Sequence, residues 1–335
     1  MSAALTPPSR AAGPDDVPRL VSAPVSAGDR AFRAALRSAG LAVLAITGLI
    51  LVFLALKSLT ALRAAGFRFF AAGTYFPGTN LPNIDALLPD TILIAAVALV
   101  IAIPLGIAAA IYISEYAPAR LRRVFISVID LLAAIPSILF ALWGLFFLMP
   151  RMLGTGSWLA RHLGWVPLFR FRLAYTPSSF AGSTFIAGAV VSLMVIPIIT
   201  ALSRQVFSQA PQGEREAAYA LGSTRWGMIT TVVLPFGRAG VIGACMLGLG
   251  RALGETIAVS FILSPPTYGF NYRVLEGGGN SITAEIANQI LGQGALGISV
   301  LFAYGLVLFA LTLVINAAAS VVIGRSRSGA ASAAD

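Results

Sequence analysis

The sequence predicts an all-α membrane protein with six transmembrane helices, and three observations carry that reading. Of 335 residues, 58% are hydrophobic and only 11% charged, with a mean hydropathy of +0.87. Soluble domains carry about 25% charged residues. Six apolar stretches each reach or exceed the roughly 20 residues needed to cross the hydrocarbon core of a bilayer. The arginines fall mainly between those stretches, which is how topology signals are placed. The net charge of +10 is therefore a membrane feature. No basic block interleaved with aromatics occurs, so nucleic acid is excluded as a partner.

The elements follow in chain order. Residues 1–37 are rich in Pro, Ala and Ser without apolar periodicity and predict a disordered cytoplasmic tail. The apolar run after Arg37 is too long for a cleaved signal peptide and predicts an uncleaved first span over 38–59. An extracytoplasmic loop over 60–89 follows. The second span, 90–114, has no charge after Asp90, and the third, 125–149, holds only Asp130. The fourth, 180–203, sits in an uncharged stretch between Arg172 and Arg204. The fifth, 239–264, carries Arg251 and Glu255, the only charges between Ala239 and Tyr272. The sixth, 295–323, ends before Arg325 and leaves a cytoplasmic tail over 324–335.

Orientation follows from the flanks. With the N-terminus in the cytoplasm, inner segments hold 14 of the 23 Lys/Arg and outer segments 8, which places both termini inside. Pro104, Pro136 and Pro197 predict kinks within spans, re-satisfied by neighbouring helices. The glycines of 240–254 predict close helix contact. Asp130 reads as the partner of a helix N-terminus or of an arginine in 120–123, and Glu115 and Tyr116 read as interfacial anchors. A single cysteine, Cys245, and a single histidine, His162, leave no disulfide framework and no metal site.

The cytoplasmic segment 204–238 is more than a connector. Its core, "GEREAAYALGSTRWGMITTVVLPFGR", reads as two short helices about a turn at Gly222. The second, 224–233, is expected to end at Leu234-Pro235. Tyr219, Leu221, Trp226 and Met228 would project as apolar knobs, the form in which a helix docks into a partner's groove. The spacing of Glu216, Ala217, Ala218, Gly222, Val232, Leu234 and Pro235 resembles the "EAA" loop of ABC importer permeases. That resemblance implies the type I ABC importer permease fold, with coupling helices seated in a cleft of a cytoplasmic ATPase. No G-x-x-x-x-G-K-[ST] occurs, and the one lysine, Lys57, lies in the first span. The chain offers no Walker lysine, so ATP is expected on a partner subunit and no cofactor on this chain.

Arg251 and Glu255 are spaced i, i+4, which places them on one face of a continuous helix. Ionised groups inside spans face protein or a water-filled path. A guanidinium presents a planar fork of donors suited to an oxyanion. The carboxylate either pairs with the arginine and keeps it from trapping the anion, or accepts a proton from an anion such as hydrogen phosphate. Against both stands a self-satisfied ion pair that locks two helices.

The helix "LGLGRALGETIAV", 247–259, resembles the fifth-helix segment of the phosphate-specific (Pst) importer permeases of the PstC type. "IPLGIAAAIYISEYAP", "DLLAAIPSILFALWGLF" and "TAEIANQI" resemble other parts of the same family, so the likeness spans the permease core, 90–323. "LLPDTILIA" at the start of span two departs from the family pattern. The resemblance implies a phosphate path at Arg251 and Glu255 in a multi-pass protein of a bacterial cell membrane. It also implies a PstA-type second permease, a PstB-type ATPase dimer and a PstS-type extracytoplasmic binding protein. The competing readings are an importer of another oxyanion such as sulfate or molybdate, an ion-coupled secondary carrier, and a structural or sensory subunit.

Overall fold

The computed structural model describes residues 26–70, 75–76, 78–171, 177–263 and 272–327. Twelve helices are present among them, and six helical stretches are long and apolar enough to cross a membrane. Residues up to Ile50 and from Leu51 onward form two compact units.

Helix α1 runs Ala27–Ala65, earlier and later than the expected span of 38–59. Residues 27–37 of the expected tail are therefore helical, and residues 1–25 lie outside the described residues. The reason is local. Ser26 Oγ accepts the Asp29 amide at 3.1 Å, and Asp29 pairs with Arg33 at 3.0 Å across one turn. In the first unit, Leu41, Leu44 and Leu49 are all exposed, as lipid-facing side chains would be.

Helix α2 (Ile84–Ile111) begins six residues before the expected span and closes on a π-helical turn, Tyr112–Tyr116. The third span is displaced. Helix α3 (Ala119–Ala134) buries no residue, and the chain turns extended at Ile135, where the following Pro136 disfavours helical backbone. Pro136 is thus a boundary between helices, not a kink within one. The apolar span comprises α4 (Ser137–Trp143), a π-helical turn and α5 (Met149–Leu163). Arg151 and Arg161, expected in an outer loop, lie on α5. Arg151 stacks over the Phe147 ring at 3.5 Å, and Arg161 donates to the Ser157 carbonyl at 3.2 Å.

Helix α6 (Thr184–Ser208) is the most buried span and packs along α2. Small residues allow the approach. A Cβ on Gly188 would lie 2.7 Å from Val97, and one on Gly106 would lie 2.8 Å from Ile199. Ala95, Ala98 and Ala102 are fully buried in the same seam.

After α7 (Gln212–Ala220) and α8 (Arg225–Met228), the helix does not stop at Leu234-Pro235 as expected. A π-helical turn, Ile229–Val233, carries it directly into α9 (Leu234–Gly254). Pro235 falls in the first turn of α9, where its missing N–H is tolerated. The fifth span is therefore Arg225–Gly254, with α8 as its first turns.

Beyond it lie α10 (Ile257–Ile262), α11 (Ile282–Gln289) and α12 (Ala295–Arg327). Ser299 Oγ of α12 donates to the Lys57 carbonyl at 2.7 Å and accepts the Ala61 amide at 3.0 Å. Tyr304, fully buried, donates its hydroxyl to the Pro82 carbonyl.

Candidate substrate path and coupling surface

The loop at the α6–α9 end is built on one turn. The Gly222 amide donates to Tyr219 O at 2.9 Å and the Ser223 amide to Ala218 O at 3.1 Å. This is the Schellman pattern, and it needs a left-handed residue at Gly222, whose φ is +81°. Thr224 Oγ1 then caps α8 by accepting the Gly227 amide at 3.1 Å.

The residues that carry the loop's sequence pattern divide by environment. Ala218 is buried against Phe207, Ala210, Met228, Ile229 and Val233, while Glu216 and Ala217 are exposed. Glu216 accepts from Gln212 Nε2 at 3.1 Å, and Leu234 is half-buried beneath an exposed Pro235. Tyr219, Trp226 and above all Leu221, which is 88% exposed, project outward. Met228 does not. It is 2% exposed and packs with Phe207, Ala210 and Ala218 in the core under the loop, on the side of α8 away from Trp226.

Arg215 holds the loop in place. Its guanidinium pairs with Glu115 Oε2 at 2.7 Å and donates to the carbonyls of Phe207 at 2.6 Å and Ala210 at 3.2 Å. Glu115, expected at the interface, has a side chain only 5% exposed, so it anchors α7 to the end of α2. Asp130 makes neither expected contact. It is exposed on α3, while Arg122 instead donates to the Ile113 and Ser114 carbonyls at 3.1 and 2.8 Å. A cation thus closes the end of the π-helical turn, where backbone carbonyls lack partners.

Arg251 and Glu255 do not share a helix face. Helix α9 ends at Gly254, and Glu255 is extended, with φ −69° and ψ 123°. Glycine at 254 weakens the helix, and the Glu255 carboxylate caps the next one, with Oε1 accepting the Ala258 amide at 3.3 Å. The expected intrahelical pair is absent among the described residues. Glu255 is buried at 9% exposure, and its backbone carbonyl accepts from Thr283 Oγ1 at 2.8 Å. Arg251 is half-buried, and its Nε lies buried without a hydrogen-bond partner. A guanidinium inside an apolar span, with its neighbouring carboxylate engaged elsewhere, is a donor fork without an acceptor.

Behind the break lies a second polar cluster that sequence reading did not assemble. Asp90 and Thr91 of α2, and Asn280, Ser281 and Glu285 of the segment entering α11, are each at most 7% exposed. Asp90 Oδ2 accepts the Asn280 amide at 3.0 Å, and Asn280 Nδ2 donates to Glu285 Oε2. Burial pushes the Glu285 carboxyl above the usual carboxylate range, offset in part by hydrogen bonds from Gln289 and Asn280. The available signal was Asn280-Ser281 ahead of an apolar-periodic run, a helix-start pattern. No group of three or more His, Cys, Asp or Glu suited to a metal occurs among the described residues.

Comparison with known proteins places these features in context. Residues 102–328 match the family described as "Binding-protein-dependent transport system inner membrane component". The "Phosphate transport system permease protein PstC 2" of Mycobacterium tuberculosis is 38% identical over 316 residues, 91% of this chain and 95% of that protein. The "Phosphate transport system permease protein PstC" of Mycobacterium leprae is 41% identical over 283 residues, 82% of this chain and 86% of its own. Among solved structures, a chain of a bacterial ABC transporter involved in the import of the acidic polysaccharide alginate superposes with a TM-score of 0.56 at 20% identity. That superposition covers 88% of this chain and 99% of the other, and it supports the fold alone.

Proposed function

The chain belongs to the binding-protein-dependent inner membrane transport components, in their PstC phosphate permease branch, and on that premise we propose that phosphate passes Arg251 and Glu255. The protein is a multi-pass permease subunit of an ATP-driven phosphate importer. It works with an ATPase and a binding protein.

One observation carries the path reading. Arg251 has a buried Nε without a partner, although the one carboxylate near it in sequence is Glu255. An uncompensated guanidinium inside a span is unfavourable unless it meets water or an anion. Its planar fork suits a phosphate oxygen pair. Glu255, engaged as the cap of α10, lines the path without neutralising the arginine.

The coupling reading rests on the exposed side chains of Tyr219, Leu221 and Trp226 on a loop fixed by Arg215. Glu216, Ala217, Ala218, Gly222, Leu234 and Pro235 shape the surface that meets a PstB-type ATPase dimer. That dimer hydrolyses ATP, and this chain binds no cofactor. ATP-driven closure of the dimer moves α7 and α8, and the unbroken run from Arg225 to Gly254 carries the motion to Arg251. A PstA-type permease completes the path, a PstS-type protein delivers phosphate from outside, and both termini of this chain lie in the cytoplasm.

The test is phosphate uptake into proteoliposomes holding the whole complex. Arg251→Ala should lower uptake about 100-fold while the ATPase stays bound, and Arg251→Lys should restore only part of it. Unchanged uptake in Arg251→Ala, or sulfate uptake at a comparable rate in the wild type, would overturn the reading.

A further inference from the structure

The break at Glu255 is an unusual place to leave a span. Ending a helix strips its last carbonyls of intrahelical donors, and apolar surroundings supply none. Gly254 O is met locally by Thr256 Oγ1 at 3.2 Å, whereas the donor to Glu255 O comes from a distant segment, Thr283 Oγ1 at 2.8 Å.

Thr283 is held by a chain of buried bonds. A threonine hydroxyl has one proton, and here it goes to Glu255 O. In the 3.1 Å contact between Ser281 Oγ and Thr283 Oγ1, Ser281 is therefore the donor. Ser281 Oγ also accepts the Ala284 amide at 3.1 Å and so caps α11. The Ile282 amide donates to Thr91 Oγ1 at 3.0 Å, and Thr91 donates on to Leu87 O at 2.7 Å. Asn280 is fixed from both sides by Asp90 and Glu285.

The preceding residue is constrained as well. A Cβ on Gly279 would lie 2.8 Å from Asp90 Oδ2 and 2.9 Å from Thr184 Oγ1. The segment is thus wedged between the starts of α2 and α6, the two most closely packed helices.

We propose that residues 280–285 form a brace, with Thr283 as the positioning residue that holds the fifth span open at Glu255 and so keeps Arg251 free for the anion. The alternative conformation defines what the brace prevents. Were the helix to continue through 255, Glu255 would stand one turn beyond Arg251 on the same face. The carboxylate would then pair with the guanidinium and quench the anion site. The hydroxyl of Thr283 favours the broken form by satisfying a carbonyl that exists without a partner only when the helix is broken.

The proposal rests on Arg251 being the anion contact, and the experiment separates the two. Initial rates of inorganic phosphate uptake are measured in proteoliposomes and expressed per assembled complex. Thr283→Val, which keeps the shape and removes the donor, should lower the maximal rate at least about 10-fold, and Thr283→Ser should restore it to within about twofold. Arg251→Ala with Thr283→Val should be no worse than Arg251→Ala alone. Wild-type rates in Arg251→Ala would overturn the path reading and the brace with it. Loss in Arg251→Ala with wild-type specific rates in Thr283→Val would overturn the brace alone. So would failure of both Thr283→Val and Thr283→Ala to assemble, because the hydroxyl would then be structural.

Discussion

Two arginines in this chain meet opposite fates. Arg215, on α7, binds the Glu115 carboxylate and two carbonyls, and apolar side chains around it face outward. Arg251, inside the fifth span, keeps a buried Nε without a partner while Ala252 and Leu253 beside it are packed away. The loop is satisfied within and unfinished at its surface. The span is finished in its packing and unsatisfied at one charge. A satisfied cation fixes structure, and an unsatisfied one inside a span awaits a ligand. The residue type is the same, and partners decide the role.

The largest effect should come from breaking the satisfied arginine. Arg215→Ala leaves Glu115 buried and unpaired, which should destabilise the complex by about 3–5 kcal/mol. Thermal unfolding of the purified complex measures this, and pairing Arg215→Met with Glu115→Leu should recover most of the loss. Equal instability of single and double variants would show that the pair is not the anchor. Next, Arg251→Ala should lower phosphate uptake about 100-fold with little loss of thermal stability, because no bond within the protein is removed. A large drop in stability there would dissolve the contrast between the two arginines.

Gly222→Ala forces a side chain into the left-handed region and should cost about 1–2 kcal/mol, read as a lower unfolding temperature, with Gly222→Asn milder. Leu221→Ser touches only surface. It should leave stability within about 0.5 kcal/mol while weakening ATPase binding about 10-fold in a pull-down titration.

The smallest effect concerns the brace and its dependence on pH. The Glu285 carboxyl is raised above its ordinary value of 4.5, so between that value and the raised one the folded state holds a proton that the unfolded state has lost. Stability is then full below the ordinary value and falls as pH rises through this window, by at most about 1.4 kcal/mol per pH unit. Glu285→Gln, permanently neutral, should flatten that part of the profile of unfolding temperature against pH.

The legible part of this protein was set by solvent. A run of some 20 apolar residues has no favourable place but the bilayer, so six spans could be counted without knowing how they pack. The turn between α7 and α8 was legible for a related reason. A left-handed turn selects glycine, and Gly222 marked it. What was misplaced lay where two local signals compete. Residues 119–134 are apolar enough to extend a span yet amphipathic enough to lie apart from it, and Pro136 decided between them. The first helix began ahead of its apolar core because capping and an i, i+4 ion pair carry no hydropathy signal. Met228 was read as a knob with Trp226, whereas the two lie two residues apart on different faces and Met228 packs into the core beneath the loop.

By itself, then, the sequence determined the solvent, the number of spans, the glycine turn between α7 and α8 and the residues that carry charge into the membrane. Tertiary structure alone decided what those charges do. Arg251 and Glu255 are one turn apart in a helix, and a helix would pair them. Glu115 and Arg215 are 100 residues apart, and the fold joins them. Thr283 reaches Glu255 across 28 residues and closes off the carbonyl that a broken helix leaves open. Gly254 weakens the helix locally, and a buried hydrogen bond from a distant segment meets the carbonyl that the break exposes. In a medium without water, an unmet carbonyl is too unfavourable to leave, and only the fold can bring it a donor.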